Sequence, residues 1–119
     1  MTVPQTMTAI TIPVPGGPEA LVPAKRPVPQ PRAGEVLVKV AAAGVNRPDV
    51  LQRQGGYPPP PGAPDIPGLE IAGEIVALGE GVSAMHLGRT VMALVAGGGY
   101  AQYCCAALVN TLPIPVGLS

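Results

Sequence analysis

The chain has 119 residues, room for one domain with a modest core, and its seven basic side chains balance seven acidic ones. That balance leaves no basic stripe to neutralise phosphates, which argues against a nucleic-acid partner, and the apolar stretches are too short and too often broken by Pro or Gly to cross a bilayer. The 16 Gly and 17 Pro would suggest disorder, but 47% hydrophobic residues against 12% charged ones supply enough surface to bury, so an ordered, turn-rich domain is expected.

Met1 to Pro13 shows neither the charged nor the apolar region of a secretory signal. The short β-branched run Thr8 to Ile12 reads as a strand ending at the Pro-Gly-Gly-Pro turn around Gly16 and Gly17. Proline recurs from Pro23 to Pro31 too often for helix or central strand, so an extended connector is expected there. Val36 to Ala42 alternates, with Val36, Val38 and Val40 facing one way and Leu37 and Lys39 the other, the pattern of a half-buried strand. Asn46 then suits a helix cap, Pro48 its first turn and Asp49 the positive end of its dipole. Val50 to Gln54 completes this short helix or single turn, and Gly55-Gly56 ends it.

Tyr57 opens a proline loop. Leu69 to Leu78 returns to strand, with Glu70, Glu74 and the glycines on a wetter face. Thr90 to Ala96, Ala101 to Ala107 and Thr111 to Ile114 add further short strands. The sum is a mainly β fold, a partly open barrel with one or two short helices.

Few motifs carry chemistry by themselves. Gly79-Glu80-Gly81-Val82-Ser83-Ala84 matches the glycine pattern of a dinucleotide turn, but Gly88 interrupts the long helix that the pyrophosphate would need. A plain hairpin turn is the expectation, and Gly97-Gly98-Gly99 leads into strand rather than helix. His86 is the only histidine, so no His-based metal cluster forms within the chain, and it reads as a surface residue. Adjacent Cys104 and Cys105 fit neither a disulfide framework nor a metal site, and read as small apolar strand residues. Pro58 to Pro61 reads as a stiff loop wall rather than a ligand for a proline-reading domain. With no Phe or Trp, the core is expected to be aliphatic. On composition alone Tyr57 packs onto the barrel with its hydroxyl in water; a place in a pocket wall is the second reading.

The run from Gly44 to Tyr57, reading GVNRPDVLQRQGGY, resembles a signature of quinone oxidoreductases of the medium-chain dehydrogenase/reductase superfamily. The resemblance continues through Pro67 to Gly73, Gly97 to Tyr103, Gly16 to Glu19 and Leu112-Pro113, so it runs from Met7 to Ser119. Leu51 to Gly55 followed by Tyr57 and prolines looks most like the tumour-suppressor-inducible quinone-reductase subgroup. The resemblance implies a GroES-like β-barrel on the substrate side, spanning residues 1–119, normally followed by a Rossmann domain that binds NADPH and that is absent here. It implies a reaction in the cleft between the two, by hydride transfer to a quinone. Asn46 would lie at the nicotinamide edge and Tyr57 at the quinone, both catalytic, with Gln52 a further substrate contact. Zinc-dependent relatives place Cys and His where this chain has Asn46 and Leu69, so no metal is expected. Arg47 and Asp49 are expected to form a helix-end ion pair. Where the family often reads Gly-Asp-x-Val this chain has Gly88-Arg89-Thr90-Val91, which puts a local turn interaction in doubt.

These readings imply a cytoplasmic protein whose NADPH binds the complete enzyme and not tightly to this chain. They also imply an apolar face toward the missing domain that drives self-association into a homo-oligomer. A stand-alone GroES-like binding module and an assembly protein like the co-chaperonin remain alternatives.

Overall fold

A computed structural model describes residues 3–56 and 64–114. Tyr57 and the proline run Pro58 to Pro61 lie outside the described residues. Among the described residues seven strands form two sheets, accompanied by one α-helix and three 3-10 turns. Strands β1 (Thr6–Thr11) and β2 (Val22–Pro27) pair antiparallel as a two-stranded ribbon. Strand β3 (Glu35–Ala43), helix α1 (Arg47–Arg53), and strands β4 (Glu70–Leu78), β5 (Thr90–Leu94), β6 (Tyr103–Ala107) and β7 (Thr111–Pro113) follow in the chain. The second sheet runs β6-β3-β4-β5-β7, all neighbours antiparallel, and its edges β6 and β7 do not pair with each other. The mainly β, partly open architecture expected from the sequence is therefore present, with a single α-helix among the described residues.

Strand β3 is the centre of the molecule. Val36 and Val38 face one cluster with Ile71, Ile75, Val91, Ala93, Cys104 and Ala106. Leu37, on the opposite face, packs with Met7, Ala9, Ile66 and Tyr103. The alternation expected there was half-buried, and the structure corrects it: Val36, Leu37 and Val38 are all buried, because the β1–β2 ribbon covers the face that would otherwise meet water. The ribbon is fastened to the main sheet by an Ala9–Ala101 bridge and by the Ile10 N–H bond to the Tyr100 carbonyl oxygen at 2.8 Å. Tyr103 is buried among aliphatic side chains, an aromatic exception to the expected aliphatic core.

Residues 22–27 correct a second expectation, since they are strand and not connector. Pro23 and Pro27 share a parity along an edge strand, so both ring nitrogens face away from β1 and no ladder donor is lost. Farther on, β3 bulges between Val40 and Ala42, opposite Gly73 of β4. A Cβ at Gly73 would overlap the carbonyl oxygen of Lys39, so only glycine admits this approach. The turn after Gly88 closes through backbone bonds, Gly88 N–H to Ile75 oxygen at 2.8 Å and Ile75 N–H to Arg89 oxygen at 2.9 Å, without an aspartate at position 89. Cys104 and Cys105 behave as strand residues on opposite faces of β6, and His86 sits half-buried on a 3-10 turn. No helix is long and apolar enough to cross a membrane among the described residues.

The two-faced packing makes a stability prediction. Ile75 is fully buried in the first cluster, so Ile75→Ala should cost about 2–5 kcal/mol in denaturant unfolding. Leu94, exposed on the outer face of β5, should change stability by less than ~0.5 kcal/mol when replaced by Ala.

Candidate active site

Helix α1 stands where β3 leaves the sheet, and its first turn is unusually well anchored. Asn46 is the N-cap in extended conformation (φ −130°, ψ 160°), and it forms a capping box with Asp49. The Asp49 Oδ2 accepts the Asn46 backbone N–H at 3.0 Å. The Asp49 N–H in turn bonds the Asn46 carbonyl oxygen at 3.0 Å, with the Asn46 side chain also turned toward it. The remaining arm of the amide reaches across to β4, where Asn46 Nδ2 donates to Glu70 Oε1 at 3.1 Å. A carboxylate accepts only, so this contact fixes which end of the amide is nitrogen.

Asp49 is buried, 5% exposed, and carries a second bond: the Tyr100 hydroxyl donates to its Oδ2 at 2.7 Å. Burial first, and then the neighbouring carboxylate, push the Tyr100 hydroxyl well above the usual phenol range, so it stays a proton donor at all ordinary pH. The expected Arg47–Asp49 ion pair does not form. Arg47 is exposed, and one Asp49 oxygen accepts from a neutral phenol and a backbone N–H instead. Among the described residues the one ion pair is Arg26 with Asp65, a two-point contact at 3.1 and 3.2 Å that holds Asp65 below the usual carboxylate range.

Two glycine-bearing segments meet beside this helix. The Gly98 N–H bonds Ile66 oxygen at 2.7 Å, Gly99 bonds Gly68 at 3.1 Å and Tyr100 bonds Pro67 at 2.9 Å. Gly68 has φ +109°, and a Cβ there would come within 2.6 Å of the Tyr100 nitrogen. The Pro67–Gly68 and Gly97–Tyr100 motifs, some 30 positions apart in the chain, are thus two halves of one backbone contact that sets where the Tyr100 ring stands.

Of the residues singled out from sequence, Asn46 is half-buried at the start of α1. Gln52 is half-buried on the same helix, its Nε2 donating to the Asp65 carbonyl oxygen at 2.9 Å, so its amide ties α1 to the segment after the proline loop. Tyr57 lies outside the described residues. Sequence reasoning passed over Glu70 and Tyr100. Glu70 was visible only as one polar residue on a wet strand face, and the Asp49–Tyr100 bond spans 51 positions with no local signal. Among the described residues no three His, Cys, Asp or Glu side chains gather as metal ligands would. A cleft of about 490 Å³ opens on the other side of the segment around Asp65, lined partly by Arg26, Ile66 and Cys105, and includes neither Asn46 nor Gln52. Of its charged lining residues, Arg26 and Asp65 pair with each other, and Arg32 and Glu35 complete the set.

Residues 32–116 match the family model described as the alcohol dehydrogenase GroES-like domain. The chain belongs to that family. It is 44% identical over 111 residues to a quinone oxidoreductase of Lama guanicoe, covering 92% of this chain and 34% of the relative. The solved structure of the human synaptic vesicle membrane protein VAT-1 homolog-like protein superposes with a TM-score of 0.86 at 33% identity, over 96% of this chain and 37% of that one. A mycobacterial protein solved in complex with NADPH superposes with a TM-score of 0.82 at 37% identity, over 95% of this chain and 35% of its own. The chain therefore spans about a third of the length of these relatives. The GroES-like domain of a medium-chain oxidoreductase, expected from the glycine and proline motifs, is what the fold and the relatives share.

Burial, more than any neighbouring charge, pushes the Cys104 thiol up to about 12 and the Cys105 thiol up to about 11, against an ordinary 9.0. Because the thiolate is the reactive form, iodoacetamide labelling of the folded chain at pH 8 should run on the order of a hundredfold slower than in guanidinium. Mass spectrometry should then show Cys105 labelled ahead of Cys104 as pH rises; equal rates folded and unfolded would contradict the burial described.

Proposed function

We propose that this chain is the substrate-side domain of a zinc-free, NADPH-dependent quinone oxidoreductase. The observation that carries the reading is Asn46 at the half-buried start of α1, its backbone N–H bonded to Asp49 and its carboxamide to Glu70, with one amide N–H left over. A donor fixed before the reaction costs no reorganisation when charge develops on a substrate oxygen. The quinone oxidoreductase among the relatives and the NADPH in the mycobacterial structure support the same chemistry.

The described residues fit only one edge of a dinucleotide. Gly79 to Gly81 runs into a three-residue 3-10 turn at Ala84–His86, with no helix whose N-terminus could hold a pyrophosphate. The groups that hold most of the nucleotide are therefore proposed to lie outside these residues, in a Rossmann domain. The bound cofactor supplies the hydride. Asn46 meets the nicotinamide edge, Tyr57 the quinone, and Gln52 acts on substrate through the segment that it ties down. Asn46 and Leu69 offer neither thiolate nor imidazole where zinc-dependent relatives place ligands, which supports the zinc-free reading. The protein is proposed to work in the cytoplasm, and to self-associate through apolar side chains left exposed, among them Met92, Leu94 and Leu112 on β5 and β7. The missing pyrophosphate cradle is also what a stand-alone binding module would show, and that is the second reading.

In a protein carrying this domain together with its nucleotide domain, Asn46→Ala should lower kcat/KM for quinone reduction by NADPH roughly tenfold to a hundredfold. A change under about twofold would remove Asn46 from the site. The pure 119-residue chain should show no NADPH-dependent turnover, and its light-scattering mass should rise with concentration. Turnover by the chain alone would sink the reading of it as half a site. A quinone-type ligand bound with no turnover in any longer form of the protein would favour the binding module.

A further inference from the structure

We infer that Tyr100 is a positioning residue for Asn46, acting through the carboxylate of Asp49; the inference rests on the role proposed for Asn46 above. Tyr100 is distant from Asn46 in the chain and donates no bond to it. What connects them is a single oxygen. Asp49 Oδ2 accepts the Tyr100 hydroxyl at 2.7 Å and the Asn46 backbone N–H at 3.0 Å. The other oxygen, Oδ1, is buried and has no hydrogen-bond partner among the described residues. Both donors therefore act on one edge of the carboxylate, and the phenol helps to fix the side-chain torsion at which that edge meets the Asn46 N–H. Without that hydroxyl, the carboxylate loses a donor in a buried place and is free to turn toward any other donor or toward water. The backbone at Asn46 then loses its anchor, and the amide held at its far end only by exposed Glu70 loses its direction.

The ring of Tyr100 is itself placed by backbone rather than by neighbours that could shift. Its N–H bonds Pro67 oxygen at 2.9 Å and its carbonyl accepts Ile10 N–H at 2.8 Å, so strand β1 and the Pro67–Gly68 segment clamp it on both sides. Gly68 makes the approach possible, since a Cβ there would strike the Tyr100 nitrogen and ring. The raised hydroxyl keeps its proton at ordinary pH, so it serves as a donor to Asp49. Among the described residues helix α1 has no other direct side-chain hydrogen bond to the segment 97–103, so the phenol is the direct tie between that segment and the corner at Asn46.

The test uses the 119-residue chain labelled with nitrogen-15, comparing Tyr100→Phe with Tyr103→Phe. Tyr103, a buried phenol on β6 close by in the chain, makes no hydrogen bond to Asp49. Tyr100→Phe should speed hydrogen exchange of the Asn46 backbone N–H about tenfold and shift the Asn46 side-chain amide resonances, and Tyr103→Phe should do neither. Asp49→Asn, and the double variant with Tyr100→Phe, should give non-additive shifts at Asn46 because both act through one atom. Equal responses to the two phenylalanine variants, or additive ones in the cycle, would overturn the inference. In the longer protein with its nucleotide domain, Tyr100→Phe should lower kcat about tenfold with Asn46 present and by less than twofold once Asn46 is Ala. If Asn46→Ala is itself silent in turnover while the Asn46 resonances still follow Tyr100, the positioning stands and the function proposed above falls.

Discussion

The constraint on which this fold depends is that β3 must be covered on both faces. A single strand carrying Val36, Leu37 and Val38 in a row cannot present all three to one core, because successive side chains point to opposite sides. One face is closed by β4, β5 and β6 curling around Ile71 and Ile75. The other needs an outside element, and the β1–β2 ribbon supplies it with Met7 and Ala9. That requirement draws the N-terminal ribbon against the segment before β6, and so brings Ile10 to the carbonyl of Tyr100.

The site inherits its geometry from that arrangement. Where β3 bulges past Gly73 and leaves the sheet, the chain turns into α1 with Asn46 at the corner. Segments 66–68 and 97–100 press together beside it through glycines that admit no side chain, which puts a phenol against the buried carboxylate of Asp49. The ordering energy of the corner therefore comes from backbone contacts on rigid elements, and the amide of Asn46 is presented rather than left to find its orientation. Under the function proposed above, a preorganised donor of this kind would suit a reaction whose bond-making belongs to a cofactor and whose protein component must position and shield.

How much of this was legible in the sequence can be followed residue by residue. The capped helix was readable because Asn46, Pro48, Asp49 and Gly55 each act on positions within a turn or two. Strand β3 was readable from alternation, and β4 and β5 from short runs between turn signals, to within a few residues. The connector expected at Pro23 to Pro31 failed in part, because proline forbids a central strand and not an edge whose free side faces water. The Arg47–Asp49 pair failed because proximity in sequence was the only guide; a phenol 51 positions away competed for the same oxygen and won. Glu70 was read as a wet-face residue, which it is, but its partner across the corner was not visible from β4 alone.

What the amino-acid order determined by itself was everything that rests on local chemistry: the caps, the turns, the alternation, the absence of a glycine turn running into a helix, and the glycine and proline motifs of the GroES-like family. What only the tertiary structure decided was which polar groups share a partner. Asp49 stands between Tyr100 and Asn46, Asn46 between Asp49 and Glu70, and Gln52 against Asp65. Those pairings depend on two sheets closing over β3 and two glycine segments stacking, and a hydrogen bond, being short and directional, exists only after the chain has been brought to within 3 Å or so by forces that act elsewhere.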